Sequence, residues 1–439
     1  MVANTKEKMT TFLSNVEDYI GKIEQKSPAW LNELRRREWQ RFVKIGVPSV
    51  KDEEWKYTNI TPIIEQAYAL PEQAGAKASI GALDGYINDG DRNFVFVNGE
   101  FVPSLSSKST PSGITILPLT EAWQKKEADL CQLLDRQPDV LDTSFSSLNR
   151  AFTHQGIFID IAKKTVSEKL IHIIHFTDSQ ARRSILTPRT LIRLGEASEA
   201  TILETHISFG QEIYLSSALT EIHMAANAVL HYCKAQAESQ AAFHIGTTKV
   251  WQEAGSQLDG FSLMTGALIT RNNLDIALNG QGCGASLNGL YSPSGQQHVD
   301  NHTSVDHRQP NCTSNQLYKG ILNGDSRAVF NGKIFVRPIA QLTNSYQLNK
   351  NLLLGQNCRV DTKPQLEIYA DDVKCTHGAT IGQLNEDEIF YLQSRSIARK
   401  QAVSMLSHGF VDDIINTVKH DSVRAKLNIL IEPTFAAID

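Results

Sequence analysis

The chain has 439 residues, of which 41% are hydrophobic and 21% are charged, and its formal net charge is -5 at pH 7. This length allows a large buried core, and the negative charge argues against a nucleic-acid-binding protein, which would carry a basic face. No apolar run approaches the roughly 18 residues of a membrane span, and the first residues lack the apolar segment of a signal peptide. Six scattered cysteines are typical of reduced thiols, so we expect a cytoplasmic protein.

The N-terminal third mixes helical and strand patterns. Apolar residues recur at helical spacing from about residue 5 to 48, and again from 119 to 134. Between them lie a linker-like stretch after Pro62, rich in Ala, Gly and Gln, and an apolar strand at 94–97. Asn98-Gly99 follows that strand and is a typical hairpin turn. We assign residues 1–150 to an N-terminal helical and mixed region.

From about residue 157 to 370 the sequence predicts strand after strand. Short apolar or alternating segments are separated by Gly-, Asn- and Ser-rich turns at intervals of roughly 8 to 15 residues, with no amphipathic helix between them. The absence of helical crossovers excludes a doubly wound sheet. A sandwich, a barrel and a β-solenoid stay open, because no exact repeat is visible. We assign residues 151–384 to this β core.

Cys375 and His377 lie two residues apart in a segment that reads as strand. Alternate side chains of a strand share a face, so the thiol and the imidazole point the same way. Both are ligands for transition metals, but two ligands do not complete a site. The alternative is a half-buried strand end with an inert cysteine and a satisfied histidine.

Residues 385–439 return to a helical pattern. Asn385 and Glu388 form a capping signal, and Gly409 predicts the end of the first helix. Apolar residues form a stripe that could be core or docking surface. Its members include Ile397, Val403, Met405, Leu406 and Phe410.

Other motifs give weaker signals. His298, His302 and His307 could form a metal triad on a metal-dependent enzyme with a β-helix or cupin-like scaffold, but in one strand His307 falls on the opposite face. The glycine-rich segment 280–284 predicts a tight turn, since no helix follows it and the chain contains no Gly-Lys-Ser/Thr of a phosphate loop. A carbohydrate-active β-helix would need clustered carboxylates, for which Asp371-Asp372 alone is poor support.

Three blocks of sequence resemble the SufB/SufD family of iron–sulfur cluster assembly proteins. The first is D-D-V-K-C-T-H-G-A-T-I-G at 371–382, followed by F-Y-L-Q-S-R at 390–395. The second is G-V-P at 46–48 with E-E-W-K-Y-T at 53–58, and the third spans 307–334. Gly378 stands where the SufB branch usually has Glu, so this segment resembles the sequences of the other branch of the family. Ser396 departs from the family, which commonly has Gly after Ser-Arg.

The resemblance implies a mainly β protein, with a right-handed parallel β-helix core flanked by N-terminal and C-terminal helical regions. It implies a non-catalytic scaffold subunit of the SUF system, with a SufB paralogue and the SufC ATPase as partners and the C-terminal helices as the ATPase-docking region. Cys375 and His377 become candidate metal ligands at a shared subunit interface. We expect no cofactor stably bound to the chain alone, a transient iron or iron–sulfur cluster at the interface with SufB, and a possible homodimer in isolation.

Overall fold

The computed structural model describes residues 20–24, 27–66, 68, 83, 85–134 and 143–436. The helical pattern before residue 20 and most of the linker-like stretch after Pro62 lie outside these residues. The helices are α1 (Ala29–Ile45), α2 (Thr61–Ile64), α3 (Leu119–Lys125), α4 (Glu127–Leu134), α5 (Ser144–Ala151), α6 (Glu386–Ser394), α7 (Arg399–Ile415) and α8 (Asp421–Ala436). Short 3-10 helices occur at Glu53–Trp55, Pro103–Leu105 and Ser179–Ala181.

The strands account for most of the middle of the chain. In order they are β1 (Arg92–Val97), β2 (Glu100–Phe101), β3 (Ile114–Pro118), β4 (Gly156–Ile161), β5 (Ile171–Thr177), β6 (Ile185–Leu186), β7 (Arg189–Leu194), β8 (Glu199–Ser208), β9 (Leu215–Met224), β10 (Val229–Ala237), β11 (Phe243–Gln252), β12 (Gln257–Met264), β13 (Ile269–Leu278), β14 (Gly284–Tyr291), β15 (His298–His307), β16 (Thr313–Leu322), β17 (Arg327–Val336), β18 (Thr343–Leu353), β19 (Arg359–Ile368) and β20 (Val373–Gly382).

The strands form two sheets, and successive strands of the β-helix alternate between them. The first sheet has the order β2-β1-β5-β8-β10-β12-β14-β16-β18-β20. The second sheet has the order β19-β17-β15-β13-β11-β9-β7-β4-β3, with β6 beside β9. From β7 onward consecutive strands switch sheets and pair in parallel with the strand two positions away, which makes a parallel β-helix of about eight turns. This confirms the expected fold class. The sheets also take in β1 to β3, before residue 151, where Asn98 and Gly99 form the predicted hairpin turn.

Alternate side chains of each strand fill the lumen, the space enclosed between the two sheets. Stacked positions in one column carry residues of very different size: Ile202 lies beside Tyr232, Tyr232 beside Gly260, and Gly260 beside Leu287. A Cβ atom at Gly260 would lie 3.1 Å from the Leu287 side chain, so the glycine makes room for its neighbour. A large side chain on one turn of the β-helix, or rung, is matched by a small one on the next, so the sequence shows no regular repeat.

The N-terminal segment packs on the outer face of the second sheet. Phe42 and Trp55 join a buried cluster with Phe145 of α5 and with Leu215 and Phe243 of the sheet. The Trp55 ring also lies 3.9 Å from the guanidinium carbon of Arg271, a cation–π contact that fixes this segment on the central strands. Glu54 of the second family-like block lines one pocket with Asn331 and Lys333 of the third, so these two blocks adjoin each other in space.

The C-terminal helices cover the outer face of the first sheet. Val411 and Ile414 of α7 and Leu427 of α8 are buried in one cluster with Leu203 and Phe261. The prediction that a helix ends at Gly409 is wrong, because α7 continues through it to Ile415. A glycine inside a helix lowers its stability by about 1 kcal/mol relative to alanine. The burial of the residues that follow Gly409 outweighs this loss. None of the described helices combines the length and the hydropathy that a membrane span requires.

Candidate functional site at the open end of the β-helix

The β-helix ends in two strands that each have a neighbour on one side only. Within the described residues, β20 pairs with β18 and β19 pairs with β17, and no further strand follows in either sheet. Every residue of these two strands is at least partly exposed. We call this surface, formed by β19 and β20, the open end. It presents unpaired backbone groups and the last layer of lumen side chains.

Cys375 and His377 belong to that last lumen layer. The register of β20 places Cys375 opposite Ser345 and His377 opposite Gln347. Ser345 and Gln347 are buried inside the lumen, with 1% and 0% of their surface exposed. One rung later, Cys375 is half-buried and His377 is exposed. The structure thus places both side chains on the same face, as their spacing predicted, and leaves that face uncovered.

The surroundings of Cys375 keep its sulfur protonated. The side chain packs against the apolar cluster of Ile334, Val336 and Ala340 at the end of the lumen. Burial raises the pKa of the Cys375 thiol, while a backbone hydrogen bond from Ser345 acts in the opposite direction. Because the thiolate is the form that binds metal, this cysteine needs a nearby cation to become a ligand.

Within the part of the chain that the structure describes, Cys375 and His377 belong to no close group of three potential metal ligands. Across the described residues, three or more His, Cys, Asp or Glu side chains approach one another closely enough for a metal at one place, formed by His175, Glu204 and His206 inside the lumen. The role of Cys375 and His377 as ligands stays a prediction, and a complete site at the open end requires groups from another molecule.

The two edge strands differ in how well they could accept another strand. β19 contains Pro364, which lacks a backbone N–H, and four charged side chains: Arg359, Asp361, Lys363 and Glu367. Such residues discourage edge-to-edge pairing. β20 contains no proline and one lysine, Lys374, over ten residues. β20 is therefore the edge with fewer obstacles to pairing with another strand.

The C-terminal helices present apolar residues, but not chiefly the predicted ones. Ile397, Val403, Leu406 and Phe410 are half-buried. Phe410 is engaged within the chain, since it packs on the helix–sheet cluster and its ring lies 4.6 Å from the Lys319 ammonium. Docking through these four residues stays a prediction.

Sequence reasoning did not single out Phe390 and Tyr391, the two most exposed large apolar residues of α6, with 71% and 58% of their surface exposed. Met405 of the predicted stripe is the most exposed large apolar residue of α7, at 52%. Phe390 and Tyr391 lie in the F-Y-L-Q-S-R segment that carries part of the family resemblance. The available signal was an aromatic pair in a helix whose other residues are mostly polar.

The three histidines of β15 do not form a metal triad. His298 Nε2 lies 2.8 Å from the Thr58 hydroxyl, and His302 contacts the carboxylates of Asp300 and Glu54 at 3.0 and 3.2 Å. His307 faces the lumen instead, 2.9 Å from the Ser314 hydroxyl. The strand continues without a bulge, so the face argument made from the sequence holds. The segment 280–284 connects β13 to β14 as the expected turn.

Comparison with known proteins gives consistent matches along the chain. The family model described as "SUF system FeS cluster assembly, SufBD core domain" matches residues 175–410, and the SufBD N-terminal region matches residues 6–173. The iron–sulfur cluster assembly protein SufD of Escherichia coli is 31% identical over 88% of this chain and 89% of its own. A SufBD family protein of Synechocystis is 31% identical over 87% and 86%, and the chloroplastic protein ABCI7 of Arabidopsis thaliana is 29% identical over 90% and 84%. These matches confirm the resemblance seen in the sequence.

Proposed function

Because the chain belongs to the SufBD family of iron–sulfur cluster assembly proteins, we propose that it is a non-catalytic scaffold subunit of the SUF system. In this proposal a SufB paralogue binds at the open end, and the SufC ATPase docks on the C-terminal helices. One observation carries the proposal: Cys375 and His377 form an incomplete ligand pair on the uncovered lumen face of an edge strand.

A second β-helix that adds its edge strand to β20 would continue the first sheet across the junction. Its own last lumen layer would then face Cys375 and His377, and ligands from both chains could surround one ion or cluster. Thiolate and imidazole suit iron and iron–sulfur clusters. Metal binding releases the thiol proton, so the Cys375 sulfur becomes a ligand when the cargo arrives. Iron or a cluster is held transiently, as cargo of the complex.

Two copies of this chain could use the same edge in isolation. A two-fold symmetric pair would bring together two Cys375 and two His377, because such an interface repeats the same surface on both sides. A paralogue would instead supply a different set of ligands on an equivalent edge. We propose that the homodimer forms when the paralogue is absent and gives way to the heterocomplex when it is present.

The ATPase surface is argued from what the C-terminal helices leave uncovered. One side of α7 and α8 is buried on the sheet through residues such as Val411 and Leu427. Phe390, Tyr391 and Met405 stay exposed, and Ile397 and Leu406 are half-buried. The chain itself has no Gly-Lys-Ser/Thr segment for nucleotide, so the energy source of an ATP-driven assembly must be another subunit. An ATPase is therefore the occupant we propose.

Co-expression tests the proposal. The tagged chain, produced with a SufB paralogue and a SufC ATPase from the same host, should purify with both, and the complex should build a cluster when iron and a sulfur source are supplied. Cluster assembly that proceeds at the same rate when this chain is left out of the complex would contradict a scaffold role.

A further inference from the structure

Three potential metal ligands meet inside the lumen near the N-terminal end of the β-helix. His175 lies on β5, and Glu204 and His206 lie on β8, its parallel neighbour, with His175 directly opposite His206. All three are at least nine-tenths buried. Glu204 Oε1 lies 3.4 Å from His175 Nε2 and 3.5 Å from His206 Nε2, and one ligand atom of each residue is within 4.8 Å of the others.

The carboxylate of Glu204 is held in a fixed orientation by hydroxyl groups. Thr190 donates a hydrogen bond to Oε1 at 3.0 Å, and Thr220 and Tyr232 donate to Oε2 at 2.8 and 2.6 Å. Hydrogen-bonded supports of this kind orient ligands around bound metals. They also leave Oε1 directed between the two imidazole rings.

The two imidazole nitrogens lack an ordinary partner. Among the described residues, neither His175 Nε2 nor His206 Nε2 has a hydrogen bond of normal length and angle, although both atoms are buried. Both rings are buried, and a neutral imidazole binds a metal through a ring nitrogen of this kind. An unsatisfied buried polar atom costs about 1–3 kcal/mol, and here two converge on one carboxylate oxygen.

The spacing of these atoms suits a tetrahedral ion. Ligand bonds of about 2.0–2.2 Å at tetrahedral angles separate neighbouring ligand atoms by roughly 3.3 Å. Two of the three separations, those from Glu204 Oε1 to the imidazole nitrogens, are 3.4 and 3.5 Å, close to this value and longer than most N–H···O hydrogen bonds. The two imidazole rings stack with their centroids 4.7 Å apart, and the three ligand atoms lie within 4.8 Å of one another. Two histidines and one carboxylate are also a recurrent ligand set for zinc and for non-haem iron.

We propose that His175, Glu204 and His206 bind one divalent transition-metal ion, Zn²⁺ or Fe²⁺, at a buried site inside the β-helix. The site is separate from the open end and does not depend on the proposed scaffold function. Phe96 stacks on His175 at 5.2 Å and the His244 ring lies 5.0 Å from His206, so the surroundings are packed. The ion therefore enters while the chain folds and exchanges slowly afterwards.

Charged groups around the three ligands allow a metal-free arrangement that competes with metal binding. Lys234 lies opposite Glu204 on β10, its ammonium has no hydrogen-bond partner among the described residues, and burial lowers its pKa. His244 pairs with Glu238 at 2.7 Å. In a metal-free lumen a charged Lys234 would balance Glu204, whereas a bound dication requires Lys234 to be neutral because like charges repel. Lys234→Met therefore retains the ion if the site is metallated.

Metal analysis of the full-length chain tests the site. Protein expressed in Zn²⁺-supplemented medium and dialysed against EDTA should retain close to one ion per chain. His206→Gln and Glu204→Gln should each lower this content by about tenfold or more. His307→Gln is the matched control, since it changes a buried lumen histidine that already has a partner, and His377→Ala controls for the open end. Both controls should retain the ion.

Expression with Co²⁺ gives a second readout, which can be measured on the wild-type chain and does not depend on the folding of a variant. A tetrahedral Co²⁺ site has strong visible absorption, which the wild-type chain should show and keep in His377→Ala. Zinc-supplemented wild-type protein without bound metal would overturn the proposal. So would a metal content that is the same in wild type, His206→Gln and Glu204→Gln.

Discussion

His377 lies directly opposite Gln347 in the register of the last two strands of the first sheet, yet Gln347 is completely buried and His377 is exposed. The same lumen column thus changes from interior to surface within one rung. The edge of β20 beside it has no neighbouring strand among the described residues and is therefore open to another chain. This relationship is the physical basis for treating the open end as an interface.

Ile381→Lys should block association at the open end without unfolding the chain. Ile381 lies on the same face of β20 as His377, and 47% of its surface is exposed. The substitution should therefore lower the unfolding free energy of the free chain by less than about 0.5 kcal/mol. An added charge on an edge strand opposes pairing with another strand. Native mass spectrometry should show loss of the homodimer and of the SufB complex. Val166→Lys, an exposed apolar residue at the other end, is the control, and equal loss in both variants would place the interface elsewhere.

Phe390→Ser should weaken ATPase binding. Truncating an exposed aromatic anchor at an interface typically costs about 2 kcal/mol, or a factor of about 30 in affinity. The measurement is calorimetric titration of the chain with the SufC ATPase. Ile429→Ser is the control, because Ile429 is exposed on α8, where it lines a pocket with Ile87 and Asp89. Deleting residues 385–439 is a poorer test, since α7 and α8 cover Leu203 and Phe261 and their loss would expose that face. Unchanged affinity in Phe390→Ser would exclude α6 from the docking surface.

Ser396→Gly should stabilise the chain. Ser396 joins α6 to α7 with a φ of 65°, a left-handed conformation that costs a serine about 1 kcal/mol and a glycine almost nothing. We expect a gain of about 0.5–1 kcal/mol in the free energy of unfolding in urea. Ser394→Gly, two residues earlier within α6, should have the opposite effect because glycine weakens a helix. A loss of stability in Ser396→Gly would show that the serine side chain matters more than its backbone.

His307→Gln should reduce the acid sensitivity of the fold. Burial lowers the pKa of His307 from 6.5 to about 4. Below pH 6.5 the unfolded chain therefore binds a proton that the folded chain excludes, so stability falls as the pH drops towards 4. This residue accounts for about 3 kcal/mol of that fall. Urea unfolding at pH 6.5, 5.5 and 4.5 should show a shallower decline in the variant, and parallel declines would contradict this assignment.

The sequence predicted individual strands better than their arrangement. Strand positions and the shared face of Cys375 and His377 follow from two-residue periodicity, which is local. The solenoid stayed undecided from residue patterns, because stacked partners such as Tyr232 and Gly260 compensate in size and leave no repeat. Only the family resemblance pointed to a β-helix.

The errors have physical reasons of the same kind. Gly409 reads as a helix end, but the burial of Val411 and Ile414 against the sheet carries α7 through it. The proposed ligand group in the lumen was missed because His175 comes from a different strand than Glu204 and His206. The Glu204-x-His206 spacing was a usable signal, identical in form to Cys375-x-His377.

The most direct test of the scaffold account is His377→Ala in the assembled complex, compared with Thr376→Ala. Both residues are exposed neighbours on β20, and they point to opposite faces. Each variant should keep its stability within about 0.5 kcal/mol and still co-purify with SufB and SufC. Cluster formation, followed by absorbance after iron and sulfur are supplied, should fall sharply in His377→Ala and stay at the wild-type rate in Thr376→Ala. An intact His377→Ala complex that assembles clusters at the wild-type rate would contradict the account.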